Sequence, residues 1–152
     1  MKKELNVSAL KSGTVIDHIP AEALFKVVNV LKLDDLSERM ITFGVNLDSK
    51  RLGKKGIIKI SNMFFQESDI NKIALFAPHA VLNEIRNYEV VDKQTIKMPT
   101  VISGIVKCQN PVCVTNNENV KPSYDVVSVA PIRLRCAYCE KITEGNDLQL
   151  ID

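Results

Sequence analysis

Apolar positions along the first hundred residues alternate between the two periods that distinguish strands from helices. Thr14 to Ile19 reads as a short strand. Pro20 suits the first turn of a helix, where its missing N–H costs nothing. Leu24, Phe25, Val27, Val28 and Leu31 follow at helical spacing, with Lys26, Asn29 and Lys32 on the other side. Met40 to Leu47 alternates as a strand with one buried face, and Ile57 to Ile60 continues the pattern after the turn-rich stretch Asp48 to Gly56. Ser68 or Asp69 is placed to cap a second helix carrying Ile70, Ile73, Ala74 and Phe76, which Pro78 terminates. A last strand runs through Val81, Leu82 and Ile85 or slightly beyond.

That order is β-α-β-β-α-β, the ferredoxin-like arrangement of the α+β class, in which two helices cover one face of an antiparallel sheet. Met98-Pro99 interrupts the pattern, because the residue before a proline is driven towards extended geometry. A hinge near residues 92–100 divides the chain into modules 1–97 and 98–152. The second module offers no long helix. Val101 to Lys107, Tyr124 to Val129 and Ile132 to Arg135 read as strands, and Asn116 to Ser123 as a connecting loop, giving a small all-β domain. Fifty-odd residues with few large apolar groups bury too little surface to fold securely alone, and a metal staple is the usual remedy.

Composition adds compartment and charge. Hydrophobic content of 45% with 25% charged residues is that of a soluble globular protein, and no apolar run reaches membrane-span length. The first residues lack the apolar core of a secretory signal. A cytoplasmic location is the default expectation, and thiols stay reduced there, so four cysteines argue for metal before disulfide. Formal charge is +2. Zinc held by four thiolates would bring it to zero, a poor field for gripping a polyphosphate backbone.

All four cysteines lie in the second module. Cys108-Gln-Asn-Pro-Val-Cys113 is a C-x4-C pair and Cys136-Ala-Tyr-Cys139 a C-x2-C pair. Each forms a tight knuckle aiming two sulfurs at one point. Four thiolates suit Zn²⁺ tetrahedrally and leave no open position for substrate, so the expected site is structural. Iron would also accept such a set. Lys107, Arg133, Arg135 and Lys141 flank the ligands and would offset the −2 charge of the loaded centre. Unrelated buried thiols and a redox C-x2-C explain the paired spacing less well, since nothing around Cys136 resembles a strand feeding a helix. A zinc-ribbon nucleic-acid module is the main rival. It would normally carry two C-x2-C pairs and a shorter gap, and Tyr124 and Tyr138 alone make a thin stacking platform.

Little else carries chemistry. Gly53-Lys-Lys-Gly56 lacks the full phosphate-loop pattern and reads as a solvated turn. His18 beside Asp17 at a strand end is more often structural than catalytic, and no nucleophile has an identifiable base. No catalytic residues are assigned. The chain reads as a binding or regulatory subunit.

The residues resemble one family closely, the regulatory chain of aspartate carbamoyltransferase. The resemblance is carried by Gly13-Thr-Val-Ile-Asp-His-Ile-Pro20, Arg39 to Leu47, Ile58-Lys-Ile60, Ala77-Pro78, Asn87-Tyr-Glu-Val-Val91 and Cys136-Ala-Tyr-Cys-Glu-Lys141. It implies a non-catalytic subunit of pyrimidine biosynthesis. The N-terminal domain would bind CTP as inhibitor and ATP as activator, with UTP a further candidate. The zinc domain would dock onto catalytic trimers, and the chains would pair as dimers through their N-terminal domains.

Residue by residue, the resemblance assigns an effector site. Val7, Ser8 and Leu10 match the N-terminal segment beside the base, and Asp17 and His18 the effector-site strand. Lys59 and Lys93 match cations for ribose and triphosphate, and Asn83, Ile85, Tyr88 and Val90 match the pocket lining. Two departures stand out: Ser8 replaces an acidic residue of the enteric members, and the segment Asp48 to Lys55 is more basic, with Lys50, Arg51, Lys54 and Lys55.

Overall fold

The computed structural model describes residues 10–33, 39–50 and 52–151. The chain forms two compact units, Met1–Lys97 and Met98–Asp152.

The first unit is built on a five-stranded antiparallel sheet of order β2-β3-β1-β4-β5. Its strands are β1 (Gly13–Pro20), β2 (Ile41–Ser49), β3 (Gly53–Ser61), β4 (Val81–Arg86) and β5 (Glu89–Thr95). Helices α1 (Leu24–Val30) and α2 (Glu67–Phe76) follow β1 and β3. The first four strands and two helices make the ferredoxin-like unit, with β5 added at one edge.

One face of the sheet makes the core. Ile16 stands opposite Ile58 on β3 and Leu82 on β4, and residues directly opposite across strands share a face. Ile16, Ile58 and Ile60 are completely buried, as are Leu24 and Val27 of α1 and Ile73 and Ala74 of α2. Gly56 lies on this face because Leu24 rests against it, a Cβ there coming within 3.0 Å of the leucine Cδ1.

Several boundaries differ from those read in the sequence. Pro20 ends β1 and leads into a 3-10 turn, Ala21–Ala23, so regular helix starts only at Leu24. Helix α2 is capped by Gln66, and Asp69 is its third residue. The Gln66 amide donates to the Asp69 carboxylate at 3.2 Å, half of a reciprocal capping box. The stretch Asp48 to Gly56 is mostly strand, with Asp48 paired to Lys54 and Ser49 to Gly53 across the hairpin. Gly53-Lys-Lys-Gly56 is therefore neither a phosphate loop nor a turn but the start of β3. Strand β5 was not anticipated, and it occupies the first part of the expected hinge. All seven of its residues are exposed, so no alternation marks it.

The second unit contains β6 (Val101–Ser103), β7 (Val106–Lys107), the one-turn helix α3 (Val114–Asn117), β8 (Ser123–Val129), β9 (Ile132–Cys136), β10 (Ile142–Glu144) and β11 (Gln149–Leu150). They form a four-stranded sheet, β10-β9-β8-β6, and a separate β11-β7 pair. The expected strand Val101 to Lys107 is broken in two at Gly104. That residue has φ +72, and a Cβ would fall 2.7 Å from the Lys121 side chain. Ile102, Val106, Tyr124 and Leu134 are fully buried beside Cys108, Cys113 and Cys136. Few apolar side chains fill this core, and the cysteines are part of it.

Candidate functional site

The four cysteines reach one point from two knuckles. Strand β7 delivers Cys108, Cys113 caps α3, Cys136 ends β9, and Cys139 follows in the next turn. The first knuckle is closed by the Cys113 amide donating to the Asn110 carbonyl at 3.0 Å. In the second, the Glu140 amide donates to the Cys136 carbonyl at 2.9 Å, with Glu140 at φ 66.

All four sulfurs lie within 4.8 Å of one another. The Cys108–Cys139 and Cys113–Cys136 separations are 3.6 and 3.8 Å. These are far beyond the ~2.05 Å of a disulfide, and all four thiols are free. A tetrahedral ion with metal–sulfur bonds of ~2.3 Å needs sulfurs about 3.8 Å apart. Both of these pairs already lie close to that requirement.

The surroundings fit a charged centre. Tyr124 is fully buried opposite Cys136. Burial, reinforced by the neighbouring sulfurs, pushes its phenol up, so it remains a proton donor beside them. Burial likewise pushes the Cys108 thiol up to about 12. At Cys139, the most accessible of the four, burial acts upwards too, but the Lys141 amide and Asn110 side chain outweigh it and bring the thiol down to about 7. Arg133, one of the flanking cations, lies 3.7 Å from Glu144.

The opposite, helix-free face of the N-terminal sheet collects most of the other predicted residues. Val15 is paired with Lys59 on one side and Asn83 on the other, and Asn83 with Lys93. A single row therefore runs Lys59, Val15, Asn83, Lys93 across four strands. Three strand spacings put the two lysine backbones about 14 Å apart. The next row holds Gly13, Ile85 and Val90, and a bulge between Glu84 and Ile85 brings Val90 opposite Ile85.

Asp17 and His18 sit at a second bulge, where the pairing of β1 and β3 shifts between Ile16 and Ile19. His18 has φ 57, an uncommon value for a side-chain-bearing residue. Its backbone amide donates to the Asp17 carboxylate at 2.6 Å, and Lys55 pairs with the same oxygen at 2.8 Å. Burial pushes the Asp17 carboxyl up, but Lys55 and the His18 amide outweigh it and hold the group below its ordinary value. Burial also lowers the Lys59 ammonium, against the pull of Asp17.

Tyr88 forms the β4–β5 turn with Asn87, both at positive φ, and its amide donates to the Lys11 carbonyl at 2.9 Å. That bond ties the turn to the backbone just before β1. Val7 and Ser8 lie outside the described residues, as does Arg51. Sequence reasoning missed two side chains. In the sequence Lys55 reads only as loop charge, because the start of its strand reads as a turn. Thr115, whose hydroxyl donates to the Cys113 sulfur at 3.2 Å, lay at the edge of a stretch read as loop.

Comparison with known proteins accounts for both halves of this arrangement. Residues 5–97 match the family model of the aspartate carbamoyltransferase regulatory chain, allosteric domain. Residues 100–149 match that of the metal binding domain of the same regulatory chain. The chain belongs to the aspartate carbamoyltransferase regulatory chain family. A regulatory chain from Bacteroides fragilis is 51% identical over 150 residues, covering 99% of this chain and 97% of the relative. One from Porphyromonas gingivalis is 47% identical over 150 residues, covering 99% of each. One from the archaeon Pyrococcus abyssi is 47% identical over 146 residues, 95% of this chain and 96% of the relative.

As a regulatory chain the protein is not itself catalytic, and the resemblance drawn from its motifs is borne out. The four cysteines fall inside the metal binding domain, and the cation row lies inside the allosteric domain. No described helix is long and apolar enough to cross a membrane.

Proposed function

We propose that this chain senses nucleotides for a cytoplasmic aspartate carbamoyltransferase of pyrimidine biosynthesis and passes the signal to separate catalytic chains. In this reading residues 1–97 bind the effector. Residues 98–152 hold one structural Zn²⁺ on Cys108, Cys113, Cys136 and Cys139 and dock onto catalytic trimers. The row Lys59–Val15–Asn83–Lys93 carries the nucleotide assignment. It offers two cations for phosphate and an amide for a base or sugar, and its Val15 joins Ile85 of the next row in a buried apolar floor.

The electrostatics support an anion. Lys59 is held at a desolvation cost, and a phosphate would offset that cost with a charge-assisted hydrogen bond. Lys55 stands close by, tethered to Asp17. CTP, ATP and UTP all carry the triphosphate that such a row recognises, so discrimination between them falls to the few contacts around the base. Leu10, Asp17, His18, Tyr88 and Val90, with Val7 and Ser8, complete the proposed site.

Coupling to catalysis requires only that a nucleotide bind one quaternary state more tightly than another. Such couplings are typically about 1–3 kcal/mol. Pairing of regulatory chains belongs to the N-terminal unit, where β2 is a sheet edge and Phe25 of α1 and Phe43 of β2 are exposed, Phe25 by 66%.

Lys59→Ala and Lys93→Ala test the site. A lost charge-assisted contact costs about 1.5–3 kcal/mol, so each variant should bind CTP and ATP roughly tenfold or more weakly by calorimetry, with assembly intact. Unchanged affinity in both would overturn the assignment.

A further inference from the structure

The metal binding domain contains more order around its first knuckle than four ligands require. Helix α3 is only one turn long, yet three consecutive side chains on it reach back to the loop Cys108–Cys113. The Asn116 amide donates to the carbonyls of Cys108 and Asn110, both at 2.8 Å. The Asn117 amide donates to those of Pro111 and Cys113, at 2.8 and 2.9 Å. The Thr115 hydroxyl donates to the Cys113 sulfur.

Four of the six carbonyls in the loop are thereby held by two side chains. A C-x4-C loop has two more residues than it needs to close on a metal, and that slack must be taken up. Primary amides suit the task because one NH₂ group supplies two donors. The hydroxyl has a separate role: a hydrogen bond to a thiolate withdraws charge from a centre that carries −2 when filled by a divalent ion.

We infer that Thr115, Asn116 and Asn117 form a clamp that holds the Cys108–Cys113 loop in its metal-ready shape and tunes the Cys113 thiolate. The inference rests on the four cysteines holding a metal. It assigns part of the site's affinity to residues that never touch the ion. Partners beyond the direct ligands commonly change metal affinity 10–100-fold.

The test uses the full-length chain and Zn²⁺ itself. Competition with a chromophoric chelator should show Asn116→Ala and Asn117→Ala holding Zn²⁺ 10–100-fold less tightly and releasing it faster than the wild type. Asn116→Asp keeps the size but removes the donors, so it should be at least as weak. For Thr115, the protein is loaded with Co²⁺ and its thiolate-to-metal charge-transfer band recorded. Thr115→Val should move the band to lower energy and Thr115→Ser should restore it, a response that a merely structural hydroxyl would not give. Wild-type affinity in both asparagine variants overturns the clamp, and an unmoved band in Thr115→Val overturns the tuning of Cys113. A wild-type chain that fails to bind Zn²⁺ at all would instead overturn the metal assignment beneath it.

Discussion

The N-terminal unit closes its core with a five-stranded sheet and two helices, whereas the C-terminal unit closes its own around four sulfurs. In the first, Ile16, Ile58, Ile60, Leu24 and Ile73 are buried without help from any ligand, and the candidate site lies on the opposite face. Fold and site use different sides of the same strands. In the second, Cys108, Cys113 and Cys136 are core residues and site residues at once. On the proposed reading, a regulatory chain built this way would exchange effectors on one unit without disturbing its core, while a metal held by the other would be part of the fold.

Removing the metal should break this contrast most visibly. Structural zinc contributes about 10–16 kcal/mol of folding free energy in small zinc modules at neutral pH, more than a unit of this size can spare. Chelation, or Cys136→Ser, should unfold the C-terminal unit and abolish docking to catalytic trimers. Amide NMR signals from the N-terminal strands should persist. A metal-free chain that keeps the C-terminal signals would show that the sheet β10-β9-β8-β6 is self-sufficient.

The complementary change acts on the other unit. Ile16 is completely buried at the centre of the sheet, and isoleucine-to-alanine substitutions at such sites cost about 2–5 kcal/mol. Ile16→Ala should lower the urea midpoint of the N-terminal unit and leave zinc affinity unchanged. If zinc affinity falls with it, the two units do not fold independently.

The difference between the units also explains what could be read without coordinates. The metal site was legible because its ligands are a rare residue type at paired spacing, and a closed tetrahedral set needs no register to be recognised. The order of the first four strands and two helices was legible from the switch between periods at Ile19–Leu24 and Ile60–Ile70. Strand β5 was not, because its exposed residues leave no alternating signature. The cation row was the least accessible. Lys59 and Lys93 are 34 positions apart, and only the pairings through Val15 and Asn83 put them on one face. Family resemblance named them, but periodicity did not. The clamp residues Thr115 to Asn117 escaped because asparagines in a turn-rich segment look alike whether or not they bind carbonyls.

The smallest expected effect concerns pH and separates the units once more. Asp17 has a carboxyl held below its ordinary value by Lys55 and the His18 amide, against the upward push of burial. A carboxyl depressed in the folded state stabilises it above the unfolded value of about 3.9, and that contribution disappears as pH falls through the lower folded value. Urea titrations read on β1 amides should show Asp17→Asn less stable than wild type at pH 7. The gap should narrow below pH 4 and close once the wild-type carboxyl is protonated in both the folded and the unfolded state. A constant gap from pH 7 to pH 3 would mean that the carboxylate charge contributes nothing. In that case Lys55 and the His18 amide serve only to shape the bulge, and the low Asp17 value has no consequence for the stability of the N-terminal unit.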